Sequence, residues 1–199
     1  MSKIGIFGGT FNPVHIGHMI MAENFYEQLN LDEVWMMPSG NPPHKDCGII
    51  LDGNVRCEMI RRAIGDNKHI KCSDFELKRD GVIYTADTLQ LLKEKYSSDK
   101  LYFLIGEDSL DSFETWYHPE RIVSQSDIVV AVRSNGTGID EKIKAFTKTF
   151  KCSLSVLRIP YIGVSSSDIR ERIRKDNTIK YMINENVEKF IYENNLYKG

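Results

Sequence analysis

GIFGGTFNPVHIGH, residues 5–18, begins inside an apolar β-type run and ends in the first turn of an apolar helical pattern. A strand that passes through glycines into a helix N-terminus leaves backbone N–H groups free, and the helix dipole favours an anion there. Gly8 and Gly9 have no Cβ, so a phosphate can come close to their backbone. The stretch therefore predicts the first strand and helix of an α/β fold, with a phosphate site where they join.

Two histidines make this signal more specific than the glycine turn alone. His15 and His18 stand three residues apart, so their rings project from one face of the first helical turn. Imidazoles placed there can donate hydrogen bonds to phosphoryl oxygens. The other interpretations are an N-terminal cap with a core histidine, or a metal pair. A helical zinc site would place its histidines four residues apart with a glutamate between them, so we favour the phosphate site.

Apolar β-type runs alternate with helical patterns along the whole chain. The predicted strands cover residues 3–7, 33–37, 70–75, 101–105, 128–132 and 154–159. The predicted helices cover residues 15–29, 54–64, 86–96, 119–124, 141–150, 168–175 and 185–194. Near-continuous apolar strands between amphipathic helices predict the α/β class, with a Rossmann-like doubly wound parallel sheet. We expect a single domain over residues 1–199, in which about 165–199 form a small helical C-terminal part.

Composition excludes several classes of protein. The formal net charge is −2 over 199 residues, whereas a nucleic-acid binder usually presents a basic face. The four cysteines form no C-x-x-C pair and no zinc spacing, which is typical of reduced thiols. The first residues show no signal-peptide pattern, and no apolar run approaches the ~20 residues of a membrane span. We expect a cytoplasmic protein without a nucleic-acid or membrane partner, and a homo-oligomer stays open.

A second candidate phosphate site is GVSSSDIR, residues 163–170. Serines before a helical pattern are usually N-terminal caps. Their hydroxyls, together with free N–H groups and Arg170 one turn later, also suit a triphosphate. From the residues alone both interpretations stay open.

Four further patterns are candidate binding groups. Lys45 follows two prolines in an extended loop, and its ammonium group either faces solvent or reaches phosphates. Tyr84 and Thr85 lead into a helical pattern whose free N–H groups suit a carboxylate. Asp108 follows a strand-end glycine, which suits a ribose hydroxyl. Trp116 is either part of the core or a flat platform for an electron-poor ring.

Five motifs, in this order along the chain, resemble those of the nucleotidyltransferase superfamily and in particular its nicotinate mononucleotide adenylyltransferases. They are GGTFNPVHIGH at 8–18, PPHK at 42–45, ELKRDGVIYTADTL at 76–89, GED at 106–108 with Trp116 after it, and GVSSSDIR at 163–170. The resemblance implies transfer of AMP from ATP to nicotinate mononucleotide, giving nicotinate adenine dinucleotide and pyrophosphate in NAD biosynthesis. It implies that Mg²⁺ arrives with ATP, because the sequence shows no carboxylate cluster that would cage it.

The resemblance also implies roles for individual residues. The catalytic residues would be His15, His18 and Arg170. The ATP ligands would be Gly8, Gly9, Thr10, Phe11, His15, His18, Lys45, Gly106, Asp108, Ser165, Ser167 and Arg170. The ligands of nicotinate mononucleotide would be Tyr84, Thr85, Trp116, Tyr117 and Arg133. Two positions depart from the family pattern: Ile83 replaces a serine, and Ser134-Asn135 replaces an Arg-Pro pair.

Three alternatives stay open. The first two are sibling enzymes that use nicotinamide mononucleotide or pantetheine phosphate as acceptor, and the 84–89 segment and Trp116 speak against pantetheine. An N–H cluster at Tyr84 and Thr85 with no acidic partner favours the nicotinate carboxylate over the amide. The third is a non-catalytic nucleotide sensor, which we would expect to have lost one of His15, His18 and Arg170.

Overall fold

The computed structural model of the chain describes residues 1–40, 50–133 (at Arg133 the backbone alone) and 138–198. Its strands are β1 (Lys3–Gly9), β2 (Glu33–Pro38), β3 (Ile70–Cys72), β4 (Lys100–Gly106), β5 (Asp127–Arg133) and β6 (Leu154–Ile159). Its helices are α1 (Ile16–Gln28), α2 (Gly53–Ile64), α3 (Thr85–Lys95), α4 (Glu107–Ser112), α5 (Pro119–Gln125), α6 (Ile139–Phe150), α7 (Ser166–Arg174) and α8 (Glu185–Glu193), with a 3-10 turn at Phe113–Thr115.

All the described strands form one parallel sheet in the order β3-β2-β1-β4-β5-β6. β1 pairs with β2 on one side and β4 on the other, so that Ile6 lies opposite both Trp35 and Phe103. The chain builds outward from β1 to β3 and then returns to start the other half at β4. Such a reversal opens a crevice at the carboxyl ends of β1 and β4, where doubly wound folds bind their ligands.

Helices cover both faces of the sheet, which explains the apolar strands. In β4, Leu104 belongs to the cluster that also contains Phe25 of α1, whereas Phe103 and Ile105 belong to the cluster on the opposite face. α8 packs on the same face as α1, because its buried Val187 joins the first cluster. The predicted doubly wound parallel sheet is confirmed.

Several element boundaries differ from the predicted ones by about two residues, and two differences are larger. β3 ends at Cys72 rather than at residue 75, because the following residues form turns in which Leu77 N–H donates to Asp74 O and Arg79 N–H donates to Glu76 O. α4 was not predicted, since its six residues are too few to show a helical period. Over the described ranges, no helix is both long and apolar enough to cross a membrane.

Candidate active site

Two cavities formed by described residues border the stretch 8–18. The larger, of about 590 Å³, lies at the ends of β1 and β4, and its lining includes Gly8, Gly9 and Gly106. The smaller, of about 330 Å³, lies between the start of α1, the end of β6 and the start of α7, and its lining includes His15 and His18. One continuous segment therefore separates two spaces, each large enough for part of a nucleotide.

Aromatic rings surround part of the larger cavity. Tyr84 and Thr85 reach it from the start of α3, and Trp116 and Tyr117 reach it from the segment before α5. The rings of Tyr84 and Tyr117 stack with centroids 4.2 Å apart. Trp116 stacks on the buried Phe113 ring with centroids 5.1 Å apart. The structure thus brings together four of the five residues predicted for the acceptor, although they come from distant segments.

A carboxylate, that of Glu76, also lines the larger cavity. Glu76 Oε1 accepts a hydrogen bond from Thr88 Oγ1 over 2.9 Å, and Oε2 accepts one from Gly40 N–H over 3.2 Å. Burial raises the pKa of Glu76. Both oxygens are therefore held by donors other than the N–H groups of Tyr84 and Thr85. The ELKRDG motif was the sequence signal for Glu76, but a motif does not show which way a side chain points.

The two histidines contact each other closely. Their rings stack with centroids 3.7 Å apart and an interplanar angle of 27°. The backbone N–H of His15 donates to Nδ1 of His18 over 3.2 Å. Nδ1 of His18 is the acceptor in this bond, so the neutral His18 ring carries its proton on Nε2. The edge of the buried Phe11 ring meets His18, with centroids 5.0 Å apart.

Burial keeps both imidazoles neutral. It lowers the pKa of His15, which is 8% exposed, to about 4. It also holds the pKa of His18 well below its usual range, with a smaller effect from the charge of His15. A Cβ at Gly17 would lie 3.1 Å from both Cε1 and Nδ1 of His15, so this glycine gives the ring its place beside the helix. Nδ1 of His15 is buried and has no hydrogen-bond partner among the described residues.

The serine motif caps α7. Ser165 Oγ accepts a hydrogen bond from Asp168 N–H over 3.1 Å and lies 3.0 Å from Ser167 Oγ. Ser166 Oγ donates to Pro13 O over 2.8 Å. The capping interpretation is therefore confirmed for Ser165, which also lines the smaller cavity. Ser166, the first residue of α7, links this helix to the stretch 8–18.

Arg170 makes a second link between α7 and the glycine stretch. Its Nη1 donates to the carbonyl oxygen of Asn12 over 2.7 Å. Its Nε is buried without a hydrogen-bond partner among the described residues. The guanidinium therefore lies beside the stretch 8–18 with donor capacity that the described residues do not use.

Arg56 of α2, to which no site role was assigned from sequence, holds three loops of the site together. Its Nη1 donates to Thr10 O over 3.0 Å, its Nη2 to Ser39 O over 2.9 Å and its Nε to Leu51 O over 2.9 Å. Only 2% of Arg56 is exposed, and burial lowers its pKa. An arginine in a helical pattern carries no sequence signal for backbone acceptors in three separate loops.

Apolar residues of the smaller cavity were also missed. They are Ile20, Met21, Ile159, Pro160, Ile162 and Val164. For Ile159, Pro160, Ile162 and Val164 the sequence signal was the apolar run that continues past the end of β6, whereas Ile20 and Met21 belong to the apolar pattern of α1. Apolar walls next to hydroxyls and imidazoles suit a ligand with a flat ring and a polar chain.

Several predicted ligands lie away from the two cavities or outside the described residues. Phe11 is 2% exposed, so its ring supports His18 from the core side. Asp108 is exposed on α4 and lines neither cavity. Lys45 lies outside the described residues, as does the side chain of Arg133, whose backbone ends β5. In the described part of the chain, no group of three or more His, Cys, Asp or Glu side chains could hold a metal ion.

Comparison with known proteins places the chain in a family. A family model described as Cytidylyltransferase-like matches residues 6–172. A protein of Lachnoclostridium phytofermentans named "Probable nicotinate-nucleotide adenylyltransferase" is 39% identical over 199 residues, covering 99% of this chain and 100% of that protein. The chain belongs to the cytidylyltransferase-like family and, within it, to the nicotinate-nucleotide adenylyltransferases. A Clostridium novyi member with the same printed name is 37% identical over 201 residues and covers 100% of both chains.

Solved structures show the same fold in this family. The nicotinic acid mononucleotide adenylyltransferase of Plasmodium falciparum complexed with NaAD matches with a TM-score of 0.82 and 22% identity, over 99% of this chain and 98% of that chain. The same protein complexed with APC matches with a TM-score of 0.80. At this identity the likeness concerns the fold. The family model includes both cavities, whereas residues after 172, α8 among them, lie beyond it.

Proposed function

We propose that this chain transfers AMP from ATP to nicotinate mononucleotide, giving nicotinate adenine dinucleotide and pyrophosphate in NAD biosynthesis. The observation that carries the proposal is the stretch 8–18, whose Gly8 and Gly9 border one cavity and whose two histidines border the other. A two-substrate transfer needs two binding spaces that meet at phosphate-binding groups. We infer the substrates from the family, because the chain belongs to the nicotinate-nucleotide adenylyltransferases.

The two cavities suit different substrates. The apolar wall of the smaller cavity suits the adenine of ATP, with the triphosphate extending past His15 and His18. The larger cavity suits nicotinate mononucleotide, with its ring against Trp116 and its carboxylate near the N–H groups of Tyr84 and Thr85. We keep Arg133 as a ligand of the acceptor phosphate and Tyr117 as a further wall of its pocket.

The reaction needs no general base in this arrangement. An oxygen of the acceptor phosphate forms a bond to the α-phosphorus while the bond from that phosphorus to the departing pyrophosphate oxygen breaks. The attacking phosphate is already an anion at neutral pH. The protein therefore acts by aligning the two phosphates and by meeting the charge that builds up on them.

Neutral histidines suit this task. Nε2–H of His18 would donate to an α-phosphate oxygen, and His15 would contact the β-phosphate. We assign the remaining triphosphate contacts to hydroxyls, cations and the glycine backbone, and the ribose to the end of β4. The triphosphate contacts are Ser165, Ser167, Arg170, Lys45, Gly8, Gly9 and Thr10, with Phe11 through its backbone alone because its ring lies in the core, and the ribose contacts are Gly106 and Asp108.

ATP is expected to enter as its Mg²⁺ complex. The described groups beside the smaller cavity are imidazoles, hydroxyls and a guanidinium, whereas Mg²⁺ prefers carboxylate, phosphate and water oxygens. Phosphate oxygens and water would therefore hold the ion as part of the substrate. The cytoplasmic location and the single-domain organisation stay predictions.

The test measures pyrophosphate release from Mg-ATP with nicotinate mononucleotide and with nicotinamide mononucleotide, side by side. We expect strong preference for the nicotinate form, and the dinucleotide product identified by mass. The His18→Ala protein, purified in parallel, controls for contaminating enzyme. Equal use of both acceptors would contradict the carboxylate site at Tyr84 and Thr85. No release with either acceptor from a folded sample would overturn the proposed function.

A further inference from the structure

Asn12 lies at the centre of the phosphate-binding stretch and is held from several directions. It is 3% exposed. Its carbonyl oxygen accepts a hydrogen bond from Arg170 Nη1 over 2.7 Å. Its Oδ1 accepts one from Tyr197 OH over 2.8 Å and another from Leu51 N–H over 3.3 Å. We call Asn12, Arg170 and Tyr197 the Asn12 hub.

Tyr197 reaches this hub from beyond α8, 185 residues along the chain from Asn12. It is 8% exposed and belongs to the core cluster on the α1 face. Its hydroxyl also lies 3.9 Å from Met59 Sδ, so the apolar core surrounds the bond to Asn12. A buried hydroxyl that donates to a buried amide oxygen fixes both groups, because neither can turn to water without losing its partner.

Asn12 connects two groups of proposed phosphate ligands, those of the stretch 8–18 and Arg170 of α7. It lies between Gly9 and His15 in the sequence, and its carbonyl holds the guanidinium of Arg170 on α7. A shift of Asn12 would therefore displace the guanidinium that its carbonyl holds, whereas the pairing of β1 with β2 keeps Gly8 and Gly9 in place. Tyr197 itself lines neither cavity, so any effect on the reaction would pass through Asn12.

We propose that Tyr197 is a positioning residue for phosphate transfer: its hydroxyl fixes Asn12 and, through Asn12, sets Arg170 against the glycine stretch. This inference rests on the proposed function and adds to it a residue outside the segment that the family model matches. Tyr197 would thus act on the ATP site from outside both cavities, through Asn12 and Arg170.

The test compares Tyr197→Phe with the wild type. Phenylalanine keeps the ring in the core and removes only the hydroxyl. Tyr192→Phe is the matched control, since Tyr192 is an exposed tyrosine of α8. Because one buried hydrogen bond is lost at a positioning site, we expect kcat/KM for ATP to fall about tenfold in Tyr197→Phe. KM for nicotinate mononucleotide should stay within about twofold, and the control should match the wild type.

A second comparison separates positioning from simple loss of stability. In an Arg170→Lys background, Tyr197→Phe should lower kcat/KM for ATP much less than in the wild type, because the two residues act through one hub. Fully additive losses would overturn the proposal. So would equal changes in KM for both substrates, wild-type kinetics in Tyr197→Phe, or a variant that fails to fold, which would assign the hydroxyl to stability alone.

ATP binding gives a readout that does not depend on turnover. Calorimetric titration of each protein with Mg-ATP, without acceptor, should show a Kd several-fold higher for Tyr197→Phe than for Tyr192→Phe. An unchanged Kd together with unchanged kcat would overturn the role of Tyr197. If the wild-type chain formed no dinucleotide, the proposed function would fail, while this titration would still decide whether Tyr197 shapes the ATP site.

Discussion

The backbone N–H of His15 donates to Nδ1 of His18, and the two imidazole rings stack 3.7 Å apart. The hydrogen bond leaves the proton of neutral His18 on Nε2. The stacking and the burial of both rings oppose protonation, since a second positive charge would lie against the first. The pair therefore offers donors without carrying charge in the absence of ATP.

Substitutions of His18 can distinguish the donor at Nε2 from the acceptor at Nδ1. The amide nitrogen of glutamine reaches the position of Nε2, whereas the amide oxygen of asparagine lies near that of Nδ1. If donation to phosphate is the function, His18→Gln should keep more turnover than His18→Asn. His18→Ala should lose about 100-fold or more in kcat. Steady-state kinetics and circular dichroism on all three variants give the order, and equal or higher turnover in His18→Asn would contradict the donor role.

The low pKa of His15 predicts that stability falls in mild acid. Below pH 6.5 the unfolded chain takes up a proton at His15, whereas the folded chain takes it up only near pH 4. The unfolded state therefore binds more protons between these values, and the free energy of unfolding decreases as the pH falls through that window. At pH 5 the loss should be about 2 kcal/mol.

Denaturant unfolding at pH 7.5 and pH 5, on the wild type and on His15→Gln, tests this prediction. Carboxylates titrate in both proteins, so the difference between the two pH slopes reports His15 together with its effect on the pKa of His18. We expect the variant to lose less stability between the two pH values. Parallel slopes would show that His15 is not the group responsible.

Whether a contact could be predicted from the sequence depends on the kind of contact. The strand–glycine–helix order placed His15 and His18 at the carboxyl edge, because parallel strands determine where such a segment ends. The bond of Tyr197 to Asn12 joins groups 185 residues apart, and no local period signals it. The hydrogen-bond partners of Arg56 could not be predicted from the sequence either, because they are backbone carbonyls, which any residue type supplies. Glu76 belonged to a recognised motif, yet its entry into the cavity depends on a turn whose geometry the motif does not specify.

Gly17→Ala should separate activity from stability. A Cβ there would stand 3.1 Å from two atoms of the His15 ring, closer than a comfortable contact, so the ring would shift. Alanine is favoured over glycine in a helix by about 1 kcal/mol, which offsets the cost of that shift. We expect kcat to fall by roughly tenfold or more while the melting temperature stays near that of the wild type. Wild-type kcat in the folded variant would mean that the His15 ring need not stay where the structure has it.

Thr88 connects the half-buried carboxylate of Glu76, in the larger cavity, to the guanidinium of Arg79. Its hydroxyl donates to Glu76 Oε1 over 2.9 Å and accepts from Arg79 Nη1 over 2.9 Å, and the residue is 3% exposed. Thr88→Val keeps the shape of the side chain and removes both bonds. Because the carboxylate then loses a buried donor, we expect the protein to lose about 1–3 kcal/mol of stability.

Thr88→Val should also affect one substrate only. Thr88 lines the larger cavity and not the smaller, so KM for nicotinate mononucleotide should rise several-fold while KM for ATP stays constant. Thr147→Val is the matched control, because its hydroxyl donates within α6 to Ile143 O and it lines neither cavity. The test measures initial rates of both variants, with one substrate varied at a time, to obtain KM for each substrate. Equal rises in both KM values would mean that Thr88 supports the fold in general, and unchanged values would mean that the Glu76–Thr88 bond does not shape the acceptor site.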